Sequence, residues 1–160
     1  MDLLIKMKPS RKKRKAGEVF VLQPKEGIYF YGRVMKVNIS IQRPGMSGWS
    51  LVYIYQNPTN ELKLPNHLDN RELLIAPKIV NNQGWLKGYF CSIGHIPVKD
   101  EDYKKDYGFW DIVTKQYLDE EGKPISFTPT IYTDFGIGSY GSVAYDIKQV
   151  IDKKPSLLNT

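Results

Sequence analysis

After Gly17, short apolar runs rich in β-branched and aromatic residues are separated by polar turn segments, which is typical of β-strands. Residues 18–23 (EVFVLQ) and 28–38 (IYFYGRVMKVN) predict two strands. Residues 24–27 (PKEG) have the composition of a tight turn, so the two strands form a hairpin. Gly32, inside the second strand, predicts a bulge or a close backbone approach that curls the sheet. Residues 49–56 (WSLVYIYQ) predict a third strand.

The later segments predict further strands and one helix. Residues 73–80 are apolar, with Pro77 marking an edge or a bulge, and residues 85–93 (WLKGYFCSI) predict another strand. From about residue 142 to 153, apolar side chains recur with a helical period; they are Val143, Ile147, Val150 and Ile151. These elements predict a mainly β (α+β) protein. The expected architecture is a curled antiparallel sheet or a small, partly open β-barrel with one C-terminal helix.

The net charge of +6 is confined to the N-terminus. Residues 1–15 contain seven basic side chains and one acid, Asp2, whereas basic and acidic side chains balance in the rest of the chain. Self-repulsion of the run at 11–15 predicts a disordered basic arm over residues 1–15, either a solvated tail or a contact for phosphates. We expect a single β-rich domain over 16–155 and a short tail over 156–160.

Cysteine and hydropathy patterns bear on the compartment. Cys91 is the only cysteine, which fits a reducing environment. No apolar run is long enough to span a membrane, and the N-terminal order of apolar and basic residues is the reverse of a signal peptide. The sequence therefore predicts a cytoplasmic protein with no membrane contact.

Motifs that support catalysis are weak. Gly136, Gly138 and Gly141 form a G-x-G-x-x-G, but too few residues follow for a dinucleotide fold, so we interpret the motif as a turn into the last helix. Cys91 with His95 and His67 could only nearly fill a zinc shell, and Cys91 fits a small buried hydrophobe. We expect no catalytic residues, no cofactor and no metal, and a protein that works by binding.

Residues 100–121 differ in composition from the rest of the chain. They contain eight acids and three lysines, with aromatic residues threaded between them. Either a solvated acidic surface or a contact surface for a basic partner explains this pattern.

The start of the predicted domain resembles a known family. Residues 15–20 (KAGEVF) and 27–34 (GIYFYGRV) resemble the opening of the immunity protein 26 family of bacterial polymorphic toxin systems. Residues 73–75 (LLI) and the segment from Trp85 to 93–97 (IGHIP) extend the resemblance over about residues 15–97. Glu18 stands where the family pattern has aspartate. The resemblance implies an antitoxin that binds and blocks a cognate toxin domain and needs no cofactor.

Two surfaces are candidates for that partner. The first is the acidic, aromatic segment, since charge complementarity and aromatic anchors favour association with a basic toxin; its residues are Asp100, Glu101, Asp102, Tyr103, Asp106, Tyr107 and Trp110. The second is a strand face bearing Tyr29, Tyr31 and Arg33. The alternative is a nucleic-acid-binding small barrel, with the basic arm on phosphates and Tyr29, Tyr31 and Trp49 stacking on bases.

Overall fold

Five antiparallel strands form the larger of two sheets in a computed structural model that describes residues 3–68 and 71–160. The strands are β1 (Glu18–Lys25), β2 (Ile28–Lys36), β3 (Ser50–Ile54), β4 (Lys78–Val80) and β5 (Cys91–His95). They lie in the order β4-β3-β2-β1-β5. Shifts in register within the β1–β2, β1–β5 and β2–β3 pairs curl the sheet. The predicted curled antiparallel sheet is confirmed, and over the described residues it does not close into a barrel.

A smaller sheet and two helices complete the structure. The smaller sheet has the order β7-β6-β8, with β6 (Tyr107–Asp111), β7 (Gln116–Leu118) and β8 (Ile131–Asp134). Strands β6 and β7 are antiparallel, whereas β8 runs parallel to β6, which the sequence pattern did not predict. The helices are α1 (Gln83–Lys87) and α2 (Tyr140–Lys153). None of the described helices is long and apolar enough to cross a membrane.

The larger sheet is buried on both faces. On one face Phe20, Phe30 and Val34 pack with α2, as the predicted helical face of Val143 and Ile147 requires. The opposite face packs against the smaller sheet through Phe109, and its own residues include Val19, Val21, Tyr31 and Met35. Side chains alternate between these two cores because successive residues of a strand point to opposite faces. At Gly32 an added Cβ would lie 2.3 Å from the Phe20 ring, so the predicted close approach is present.

The prediction of a strand over residues 85–93 is wrong in its first half. Residues 83–87 form α1, which ends at Gly88 with a φ of 85°, and only Cys91–His95 is extended. Trp85 packs edge-on against Phe20 and Phe90, with ring centroids 5.1 and 5.0 Å away. Tertiary packing of a large aromatic side chain overrides the β-like composition of this segment.

Residues 3–15 lie against the domain, which differs from the predicted disordered arm. Leu4 is buried in the core, and the backbone of Ile5 donates a 2.8 Å hydrogen bond to the carbonyl of Gln23. The Arg14 guanidinium lies 4.7 Å from the centre of the Trp85 ring and pairs with Glu18. The lysines of this segment are exposed, so their charges stay solvated while the backbone and Leu4 dock. The predicted tail also makes contacts, since Leu157 and Leu158 pack against the core.

We predict that Leu4→Ala lowers the free energy of unfolding by about 2–3 kcal/mol, because it removes buried methyl groups and leaves a cavity. Urea unfolding followed by tryptophan fluorescence measures the change. The matched control is Lys6→Ala, on an exposed neighbouring side chain, which should leave the midpoint unchanged. Equal stability of the Leu4 variant and the unmodified protein would show that residues 3–15 are not docked in solution.

Candidate partner-binding surface

Most carboxylates of the acidic segment are bound within the protein. Three of them form ion pairs with basic side chains of β2 and the loop that follows it; the pairs are Arg33–Asp102 at 3.2 Å, Lys36–Glu120 at 2.6 Å and Arg43–Asp111 at 2.7 Å. A fourth, Asp106, accepts hydrogen bonds from the backbone and hydroxyl of Thr130. Three carboxylates of this segment therefore attach it to β2 and the loop that follows β2.

Arg33 is the most deeply buried of these charges, with 1% of its side chain exposed. Its guanidinium donates to the carbonyl oxygens of Ile96 at 2.9 Å and Pro97 at 2.6 Å, in addition to Asp102. Burial raises the pKa of the neighbouring Tyr55 to about 12, against the opposing effect of the Arg33 charge. A buried, fully engaged guanidinium has no free surface to offer a partner, so Arg33 has a structural role.

Several of the tyrosines predicted to contact a partner are also bound within the protein. Tyr31 is buried, and its hydroxyl donates a 2.7 Å hydrogen bond to the carbonyl of Lys63. Tyr103 donates to the carbonyl of Met35 at 3.1 Å, and Tyr107 donates to Glu120. Burial and the Glu120 carboxylate raise the pKa of Tyr107. Tyr103 and Tyr107 therefore lie between the two sheets, whereas Tyr31 packs against the segment around Lys63.

The aromatic platform proposed for base stacking is not formed. Tyr31 is buried, while Tyr29 and Trp49 are half-buried and pack against the same core as Tyr31. The backbone of Tyr29 pairs with Thr59 through two 2.8 Å hydrogen bonds. Stacking needs exposed ring faces in a row, which this arrangement does not provide.

Three of the predicted contact residues have exposed side chains, namely Asp100, Glu101 and Asp106. Asp100 and Glu101 are exposed on a single 3₁₀ turn, and Trp110 is half-buried on β6. Trp110 lies on the side of the smaller sheet opposite to Phe109, which is buried in the joint between the sheets.

The outer side of the smaller sheet carries a row of aromatic rings, which we call the outer aromatic face. Trp110, Tyr117 and Tyr132 come from β6, β7 and β8, and successive ring centroids are 4.9 and 5.1 Å apart. Tyr132 is 51% exposed, and the β6–β7 turn beside Trp110 exposes Ile112 and Val113 by 78% and 77%. Exposed apolar side chains next to one another are unusual on a surface with no binding role.

The sequence analysis named Trp110 but missed its neighbours. Tyr117 and Tyr132 were left out because they join Trp110 only through the β6–β7 hairpin and the parallel β6–β8 pair. The adjacent Ile112 and Val113, flanked by polar residues, were a signal that could have been used. An apolar pair in a polar turn departs from the usual composition of turns.

A cleft of about 800 Å³ opens beside this face. It is lined by residues 72–76, which lead into β4, by the beginning of β8 and by Val150 of α2. Leu73, Leu74, Ile75 and Ile131 supply apolar surface to it. The cleft adjoins the outer aromatic face because Tyr132 belongs to both.

The glycine-rich motif and the Cys91 and His95 side chains have structural roles. The glycine-rich run joins β8 to α2, and Gly138 pairs with Val80 of β4. Cys91 is half-buried against the core, and His95 hydrogen-bonds the carbonyl of Ala16 at 2.9 Å. Among residues 3–68 and 71–160, no group of three or more His, Cys, Asp or Glu side chains could hold a metal ion.

The structure is therefore a mainly β protein whose smaller sheet carries an aromatic row beside an open cleft. Residues 15–119, from the end of the basic segment through β7, match the model of the family described as Immunity protein 26. The match spans more than half of the chain, so the chain belongs to the Immunity protein 26 family. The resemblance noted over residues 15–97 is confirmed. Comparisons with curated proteins and with solved structures found no match.

We predict that Asp102→Asn destabilises the fold by about 3 kcal/mol, because it leaves the buried Arg33 without its counter-charge. Chemical denaturation at pH 7 measures the loss. Glu101→Gln is the matched control, since Glu101 is exposed and forms no ion pair among the described residues. If both variants unfold at the same denaturant concentration as the unmodified protein, the ion pair does not hold the two sheets together.

The Asp111 carboxylate predicts a specific acid sensitivity. Hydrogen bonds from Arg43, and then from Thr114, lower the pKa of Asp111 below its ordinary value. Its contribution to stability is therefore complete above about pH 4, the ordinary range of an aspartate, and is lost as the pH falls below it. Between pH 7 and pH 2.5, urea unfolding should show the gap between the unmodified protein and Asp111→Asn closing in acid. A gap independent of pH would contradict this assignment.

Proposed function

We propose that this protein is a cytoplasmic immunity protein that binds and neutralises a cognate toxin domain without catalysing a reaction. Its membership of the Immunity protein 26 family supports this role. The observation that carries the proposal in the structure is the outer aromatic face, where Trp110, Tyr117 and Tyr132 adjoin exposed Ile112 and Val113.

The composition of this face fits a protein partner. Tryptophan and tyrosine dominate binding energy at protein interfaces because they remove large, rigid, amphipathic surfaces from water. The three rings already contact one another, so they lose little conformational freedom when a partner covers them. Exposed Ile112 and Val113 add apolar surface that gains from burial.

The acidic segment contributes less than its composition suggests. Asp100 and Glu101 are its exposed carboxylates on the 3₁₀ turn, and we assign them to electrostatic steering of a basic toxin. Asp102 and Asp106, which the sequence analysis grouped with them, are engaged by Arg33 and Thr130. The proposed contact therefore centres on Trp110 and its aromatic neighbours, with charge assisting at a distance.

We predict that Trp110→Ala and Tyr132→Ala each weaken binding of the toxin domain encoded beside this gene by about 30-fold or more, the effect of losing an interface hot spot. Isothermal titration calorimetry measures the affinity, and co-expression measures protection of cells. Tyr145→Ala is the matched control, because Tyr145 is 58% exposed on α2 and outside the outer aromatic face.

Binding by the unmodified protein separates a wrong function from a wrong contact surface. If the unmodified protein neither binds the neighbouring toxin nor protects against it, the proposed function is wrong. If it binds and both aromatic variants retain full affinity, the function stands and the contact lies on another surface.

A further inference from the structure

The chain of β8 and the chain that leads into β4 meet at one end and separate at the other. The cleft lies between them. At the closed end, Gly138 donates a 2.7 Å hydrogen bond to the carbonyl of Ile79 and accepts one of 3.0 Å from Asn81. These bonds join the continuation of β8 to β4 as parallel neighbours. At the open end, residues 72–76 and the beginning of β8 diverge around the cleft of about 800 Å³.

The edge of β8 turns hydrogen-bonding groups away from its own sheet. Phe135 donates to the carbonyl of Trp110 at 2.7 Å, so the odd-numbered residues of this stretch direct their N–H and C=O groups towards β6. By the alternation of a strand, Tyr132 and Asp134 direct theirs to the opposite edge. Gly138 follows the same alternation when it bonds to Ile79 and Asn81. The outward edge of β8 is thus the edge that faces the β4 strand.

The opposite wall has the complementary arrangement. Leu74 donates to Ile54 at 2.7 Å, and Gln56 donates to Glu72 at 2.9 Å, so even-numbered residues here face β3. The backbone groups of Leu73 and Ile75 consequently point away from β3, into the space between the sheets. The carbonyl of Leu73 accepts a bond from the side-chain amide of Gln56 at 3.2 Å.

The charged side chains around the cleft are of both signs. Lys104 and Lys105 lie at its rim with Glu72 and Asp106. Asp106 is engaged by Thr130, and the Lys104 ammonium donates to the carbonyl of Arg71 at 2.8 Å. The two lysines and the two carboxylates balance at this rim, so its charge sets no preference for an acidic or a basic segment.

We propose that the cleft receives an extended segment of the toxin, which adds a strand to the outward edge of β8. The segment pairs with the backbone of Tyr132 and Asp134 and places apolar side chains against Leu73 and Ile75. Strand addition gives affinity through main-chain hydrogen bonds and specificity through alternate side chains. This inference rests on the proposed function and names how the partner is held.

The test uses amide hydrogen exchange of the full-length protein, alone and with the toxin domain encoded beside its gene. We expect the amides of Tyr132 and Asp134 to exchange rapidly in the free protein and at least about tenfold more slowly in the complex. The amide of Thr133 provides the internal reference, because it faces β6 and is protected in both states.

A pair of variants at one position separates backbone from side-chain effects. Asp134→Pro removes only the outward N–H, and proline is tolerated where an edge strand has no pairing partner on that side. We expect it to weaken toxin binding by about tenfold, whereas Asp134→Ala retains affinity.

Three results would overturn the inference while leaving the proposed function intact. The first is a complex of full affinity in which the amides of Tyr132 and Asp134 exchange unchanged. The second is equal affinity of the Asp134→Pro and unmodified proteins. The third is concentration-dependent protection of these amides in the protein alone, which would assign the edge to a second copy of this chain. Absence of any binding by the unmodified protein would instead overturn the proposed function.

Discussion

The structure depends on the pairing of three basic side chains of β2 and its following loop with three carboxylates of the acidic segment. Arg33 is the innermost, and its bonds to two carbonyls and to Asp102 fix the chain that leads from β5 into the smaller sheet. A buried charge left without its partner is strongly destabilising. The orientation of the smaller sheet, and with it the outer aromatic face, follows from this constraint.

This pairing also explains why the sequence misleads about charge. Composition shows a negative segment, but it does not show that Asp102 lies against Arg33, 69 residues earlier in the chain. One local signal was available, since Arg33 lies between the buried Tyr31 and Met35 on the same face of β2. A charged residue on an apolar strand face needs a buried partner, and the acidic segment supplies it.

Elements with a clear period were predictable, whereas those set by tertiary contacts were not. The β1–β2 hairpin follows from two apolar, strand-forming runs on either side of a turn, and α2 follows from the helical spacing of Val143 and Ile147. Residues 3–15 lie against the domain because Leu4 is buried in the core. The basic composition of this segment gives no sign of that burial. Trp110 was identified by residue type, but its aromatic row depends on the parallel pairing of β6 with β8, which local sequence does not encode.

The larger sheet supplies a core on each face, and we propose that the smaller sheet carries the exposed surface that a partner covers. The most direct test of this account is the structure of the protein bound to the toxin domain encoded beside its gene. The account predicts one interface that buries at least about 1,200 Å² in total and covers Trp110 and Tyr132. A complex in which both rings remain exposed to solvent would contradict it.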